Sequence, residues 1–228
     1  MKTNTQVKPE KHVARVLLVD DHPIVLQGLT QLINQEPDLT VCGQALTAEK
    51  ALQAIEQLHP DLAIVDICLR GTGGLELIKA IKRRHPNLPV LVVSMHDESL
   101  YAERAIRAGA MGYVMKEKAT DELLSSIHRV LEGEIYLSKK MSNKLLSQLV
   151  GHSISKTGST VERLSDRELQ VFRLMGKGST TRQIASELSL SMKTVESYRE
   201  HLKEKLQLKT AAELVRHAFD WVQDEDKA

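Results

Sequence analysis

Asp20, Asp21, Asp66, Ser94 and Lys116 are the residues of this chain best suited to chemistry. Each lies at the end of a short apolar run: Val16 to Val19, Leu62 to Val65, Val90 to Val93 and Tyr113 to Met115. Taken singly they read as ordinary strand-ending, turn or capping residues. Together they amount to three carboxylates, a hydroxyl and an ammonium. Three carboxylates crowded into one place repel and raise one another's pKa unless a cation neutralises them. Hard oxygen ligands with room for water suit Mg²⁺. Asp66 as nucleophile, with Lys116 and Ser94 as donors to phosphoryl oxygens, describes a phosphoryl-transfer site.

The elements that must position them alternate. Apolar runs at 15–20, 39–45, 62–69, 90–94 and 111–115 read as strands buried on both faces. Helical patterns follow each, with Pro23 opening the first and Gly109 and Gly133 closing the last two. In the first helix Ile24, Val25, Leu29, Leu32 and Ile33 are expected to face inward. Five βα units imply a doubly wound, five-stranded parallel sheet wrapped by helices, with ligands bound at the strands' carboxyl ends.

Composition narrows the classes. The 228 residues suffice for two ordinary domains. A net charge of +1 leaves nucleic-acid contact to a local patch, and 3% aromatics argues against a stacking platform or ring-lined ligand pocket. Cys42 and Cys68, both assigned to strands, lack metal-site spacing and fit reduced thiols. No run approaches the roughly 20 apolar residues of a membrane span. The polar start has no signal-peptide core. A cytoplasmic protein is expected, with residues 1–13 as a loose arm.

The first segment, 14–133, resembles the receiver domain of two-component response regulators. The resemblance rests on Val19-Asp20-Asp21-His22-Pro23, Val65-Asp66, Ser94 and Tyr113-Val114-Met115-Lys116. It implies phosphorylation of Asp66 by a histidine kinase or small phosphodonor. It also implies Mg²⁺ held by Asp21, Asp66 and the Cys68 carbonyl, with Asp20 acting through water, and Ser94 with Tyr113 as a switch pair. Two features depart from the family. Arg70 replaces a usual proline, in a glycine-rich loop (Gly71, Gly73, Gly74) expected to be mobile. Met95 replaces a small residue and is expected to narrow access to the site, and His96 beside it reads either as an aid to water attack on the phosphate or, more simply, as an idle surface residue.

Residues 134–162 read as a linker, helical over 141–150 and a small, polar tether over 151–160. Beyond it, in 163–228, four helices are announced by polar caps. The capping box of Ser165 and Glu168 opens the first, Thr180 with Gln183 the second, Ser191 the third, and Thr210 with Glu213 the fourth. A short helix, a tight turn and a helix with a polar outer face fit a helix-turn-helix. By spacing alone a small helical packing domain fits as well.

Leu164-Ser165-Asp166-Arg167-Glu168, Gly178, Ile184-Ala185, Lys193-Thr194-Val195-Glu196 and Lys205-Leu206 resemble the LuxR-type helix-turn-helix. The whole chain then resembles NarL/FixJ-type response regulators, which are transcription factors. The resemblance implies that Glu196, Ser197 and Glu200 face bases and that Thr194 also meets DNA. Arg182, Lys193, Arg199, Lys203, Lys205 and Lys209 are its candidates for phosphate contacts. Tyr198 stands where a histidine is common. Acidic base-facing residues accept from cytosine amino groups but do not grip guanine. A homodimer through Val215 and Ala218 on a two-fold promoter site is expected. Two alternatives stay open: a regulator that binds DNA without phosphorylation, and an aspartate-nucleophile phosphatase. The phosphatase needs a second carboxylate two residues past Asp66, where Cys68 stands.

Overall fold

The computed structural model describes residues 13–69, 71, 73–149 and 160–225. Arg70, nearly all of the expected N-terminal arm and most of the expected tether lie outside them. Five strands, β1 (Ala14–Val19), β2 (Leu39–Ala45), β3 (Leu62–Val65), β4 (Val90–Ser94) and β5 (Gly112–Met115), form one parallel sheet in the order β2-β1-β3-β4-β5. Order reverses beside β1, so β1 and β3 are neighbours without being consecutive, and a crevice opens at their carboxyl ends.

Side chains alternate across the strands, and the helices sort accordingly. Val16, Leu18, Leu62, Ile64, Leu91 and Val93 pack against α1 (Pro23–Ile33) and α5 (Ala119–Leu131). Leu17, Val19, Ala63, Val65, Val90 and Val92 pack against α2 (Ala48–Leu58), α3 (Gly74–Arg84) and α4 (Glu98–Ala108). In α1 the inward set is Leu26, Leu29 and Ile33, spaced three and four apart; Ile24, expected inside, is 77% exposed on the first turn. Cys68 lies in the loop after β3 rather than on a strand, and both cysteines are free.

Tyr136 runs beside β5, its N–H bonded to the Met111 carbonyl and its carbonyl accepting from Tyr113 N–H. This extends the sheet edge past α5. The linker helix α6 (Lys139–Leu149) follows, tied to α4 by Lys144 Nζ donating to the Ser99 carbonyl at 3.0 Å.

The four remaining helices are α7 (Asp166–Gly176), α8 (Thr181–Glu187), α9 (Met192–Leu206) and α10 (Ala211–Glu225). Ser165 and Thr180 form the two reciprocal capping boxes and Ser191 caps α9, as the sequence announces. Leu169, Phe172, Ile184, Val195, Leu202, Leu214 and Ala218 make their core, continuous with the α2–α3–α4 layer of the sheet. Gly176 lies against the Ala218 carbonyl with no room for a Cβ, which brings α7 and α10 into close contact. Ala218 is therefore core and not a dimer surface. The exposed large apolar residues of α10 are Val215 and Phe219.

Candidate functional site

Parallel pairing puts the predicted chemical residues at one edge. Asp20 follows β1, Asp66 follows β3, Ser94 ends β4 and Lys116 follows β5. All are withdrawn from solvent: Asp20, Asp66 and Ser94 are buried, and the Lys116 side chain is only 8% exposed. Lys116 Nζ bridges Asp20 Oδ2 at 2.5 Å and Asp66 Oδ2 at 2.7 Å. Burial alone would lower the Lys116 pKa, but the two carboxylates reverse that and hold it above the ordinary range. The ammonium offsets much of the acid repulsion and aligns the Asp66 carboxylate. The other Asp66 oxygen accepts from Cys68 N–H at 3.2 Å.

Asp20, Asp21, His22 and Asp66 each present a ligand atom, all within 4.8 Å of one another. His22 Nδ1 lies 2.9 Å from Asp21 Oδ1 and 3.2 Å from Asp20 Oδ1. Oxygen donors this close, with Asp21 also lining the adjoining cavity, fit a hard divalent cation. His22 belongs to this cluster, which reading its neighbours as a carboxylate set did not bring out.

Tyr113 is buried, with its hydroxyl donating to the His96 carbonyl at 2.8 Å. Burial pushes its phenol well above the usual range. The ring thus fastens β5 to the loop after Ser94. His96 corrects the expectation of an idle surface residue: it is buried and its ring lies 5.0 Å from that of Tyr101. Burial, then Arg173, Lys177 and Lys116, lower its pKa to about 3, so the imidazole is neutral. Met95 is 59% exposed.

The four-helix unit covers the mouth of this site. Arg173 of α7 donates to Cys68 Sγ at 3.2 Å and also meets His96 Nε2. Gly71 N–H donates to the Glu187 carbonyl at 2.9 Å, and Arg167 donates to the Gly71 carbonyl at 3.0 Å, so this part of the glycine-rich loop is pinned. Asp166 accepts from Lys79 of α3 at 2.8 Å and from Arg104 of α4 at 3.1 Å; Arg104 also donates to the Leu164 carbonyl at 2.7 Å. A cavity of about 250 Å³ remains between the acid cluster and α7.

On α9, Val195, Leu202 and Leu206 face the core, while Lys193, Glu196, Ser197 and Glu200 are exposed. Arg182 and Lys209 are exposed as well, and Thr194 is half-buried beside its cap Ser191. Three candidates have internal partners. Arg199 donates to Thr181 at 2.9 Å, Lys203 pairs with Glu200 at 2.7 Å, and Lys205 pairs with buried Glu168 at 2.7 Å. Lys205 thus holds α9 to α7 while its side chain stays 43% exposed.

Residues 16–128 match the response regulator receiver domain, and 162–218 match the luxR family of bacterial regulatory proteins. The oxygen regulatory protein NreC of Staphylococcus carnosus is 32% identical over 209 residues, covering 90% of this chain and 96% of that relative. The chain belongs to the NarL/FixJ-type response regulators. Similar solved structures include RcsB of Salmonella typhimurium, with a TM-score of 0.69 at 25% identity over 92% of this chain and 98% of that one. RcsB of Salmonella enterica serovar Typhimurium bound to promoter rprA with the phosphomimetic BeF3- has a TM-score of 0.64 at 25% identity, covering 90% and 98%. This response regulator therefore couples a receiver to a LuxR-type DNA-binding domain and acts in transcription regulation. Among its described residues no helix is long and apolar enough to cross a membrane.

Proposed function

We propose that a sensor histidine kinase phosphorylates Asp66 of this cytoplasmic regulator, and that the added charge controls its dimerisation and promoter binding. The observation that carries the reading is the Lys116 bridge to Asp20 and Asp66 at the carboxyl ends of the central strands, beside buried Ser94. Asp20, Asp21 and Asp66, with the Cys68 carbonyl, would hold Mg²⁺, whose charge offsets that of the incoming phosphoryl group. Asp66 supplies the attacking oxygen. Lys116 and Ser94 receive the phosphoryl oxygens, and Tyr113 carries the change to the loop bearing His96.

In this scheme residues 14–133 are the phosphoacceptor unit, 134–162 the linker and 163–228 the unit that grips a two-fold DNA site as a homodimer. Glu196, Ser197 and Glu200 would face bases, with Thr194 also on the DNA and Arg182, Lys193, Arg199, Lys203 and Lys209 at phosphates. Because Lys193, Glu196, Ser197 and Glu200 are exposed, control runs through how the two units are arranged, not through covering the DNA-facing side chains. The same exposure favours a second reading, DNA binding without phosphorylation. The test incubates wild type and Asp66→Asn with acetyl phosphate and Mg²⁺, then measures phosphoprotein, solution mass and DNA affinity. Phosphoprotein, a dimer and tighter DNA binding, all confined to wild type, are expected. Equal DNA binding by both proteins would favour the second reading.

A further inference from the structure

A second cavity, of about 570 Å³, lies where α3, α4 and the linker helix α6 meet the start of the DNA-binding unit. Its cations are Lys79 of α3, Arg104 and Arg107 of α4, Lys144 of α6, Arg163 of the 3-10 turn Thr160–Arg163, and Lys205 of α9. These six cations, brought from five elements, face only two lining carboxylates, Glu103 and Asp166. Glu76 and Glu168, which pair with Lys79 and Lys205, still leave a surplus of two positive charges. We propose that this cleft binds a compact oligophosphate, two or three linked phosphate groups, and that the bound anion clamps the two units together.

Charges on one helix face are ordinarily just solvated; cations gathered from both units repel one another unless an anion joins them. Asp166 is shared between Lys79 and Arg104, at 2.8 and 3.1 Å, so one carboxylate serves two cations. Arg104 and Lys144 also donate to the Leu164 and Ser99 carbonyls, neutral acceptors about half as strong as charged ones. Arg163 is exposed and has no partner among the described residues. Phosphate oxygens match the guanidinium fork, and the volume falls within the roughly 300–1,000 Å³ of small-molecule sites. The apolar lining is Leu100, Ala108 and Leu164, with no aromatic ring for a nucleotide base to stack on. Duplex DNA carries the same oxygens but cannot enter a space of this size while both walls are in place. Arg163 and Lys205 stand on one unit and Lys79, Arg104 and Arg107 on the other. The anion therefore binds the docked arrangement and stabilises it by mass action, and whatever parts the units weakens its hold.

The test titrates sodium tripolyphosphate into the full chain by calorimetry, in EDTA and about 150 mM NaCl so that diffuse charge attraction is screened. One site per chain is expected. Arg163→Ala and Arg107→Ala, both at exposed positions, should each raise the Kd about tenfold, the loss of one charge-assisted hydrogen bond, with unchanged thermal midpoints. Arg163→Lys should stay within about threefold of wild type. Lys193→Ala, on the exposed face of α9, should leave the Kd within about twofold. Arg167→Ala loosens the docking from outside the cleft, through the Gly71 carbonyl, and should raise the Kd as well. ATP should bind no tighter than tripolyphosphate, and sulfate at equal ionic strength at least about tenfold more weakly. Tighter binding of ATP would refute the oligophosphate in favour of a nucleotide. Absence of saturable binding, equal affinity for sulfate, or a Kd moved as much by Lys193→Ala as by Arg163→Ala would each refute the cleft. An unmoved Kd in Arg167→Ala would refute the clamp.

Discussion

Arg104 on α4 and Asp166 at the start of α7 lie 3.1 Å apart, with side chains only 14% and 20% exposed. The same guanidinium bonds the Leu164 carbonyl, and Lys79 takes the second Asp166 oxygen. The hydrogen bond to Asp166, followed by one to Glu76, raises the Lys79 pKa. A receiver helix therefore holds the DNA-binding unit by its first turn. Removing Arg104 leaves Asp166 half-paired, so Arg104→Ala is expected to weaken the docking of the DNA-binding unit on the receiver by about 1–3 kcal/mol. Small-angle scattering should show the radius of gyration rising. Arg104→Asp with Asp166→Arg should recover part of the loss, the signature of direct coupling.

Lys116 is the buried cation between Asp20 and Asp66, so Lys116→Met leaves two adjacent buried carboxylates without their counter-charge. Breaking a buried pair from one side costs about 3–5 kcal/mol. Urea unfolding without divalent cations should show a loss of that order. Millimolar Mg²⁺ should restore part of it, and phosphoprotein formation from acetyl phosphate should fall by at least tenfold. A variant as stable as wild type would mean that the ammonium does not neutralise the acids.

The sheet and the acid cluster were legible in the sequence because both rest on local rules. Apolar runs set the strands, and a polar residue at each run's end is carried to one edge by parallel topology. Capping chemistry likewise placed Ser165, Thr180 and Ser191 correctly. What the sequence hid depends on contacts between distant segments. His96 is buried by Tyr101 and by Arg173, 77 residues away, and Lys205 is committed to Glu168, 37 residues away. Ile24 and Ala218 show the remaining weakness: an apolar residue on a helix does not by itself say which face is covered.

Met95 gives a sharp contrast with its neighbour. Met95 is 59% exposed and has little packing to lose, so Met95→Ala should change stability by about 0.5 kcal/mol or less. His96→Ala removes a buried ring packed at a tilt against Tyr101 and the Nε2 that meets Arg173. It should lower the thermal midpoint by several degrees, for a cost of about 2 kcal/mol.

The lysines of α9 should separate into two kinds. Lys193→Ala, at an exposed position, should weaken binding alike for all DNA sequences and reduce the salt slope by about one. Lys205→Ala should instead lower stability by about 1.5–3 kcal/mol, because Glu168 loses its ammonium partner. Salt-dependent DNA titrations alongside thermal melts distinguish them. The reverse pattern would place Lys205 on the DNA.

Glu168 also sets an acid limit on the DNA-binding unit. Its burial alone would raise the pKa, but Lys205 and the Ser165 backbone and hydroxyl outweigh it and leave the pKa below the ordinary 4.5. A carboxylate with a depressed folded pKa contributes stability that is present above its unfolded value and lost as pH falls through the folded one. Unfolding measured from pH 7 to pH 3 should therefore show stability falling below about pH 4.5. Glu168→Gln cannot ionise, so it should be weaker at pH 7 by about 2 kcal/mol and its acid limb correspondingly shallower. Parallel limbs for the two proteins would show that other carboxylates govern the acid transition.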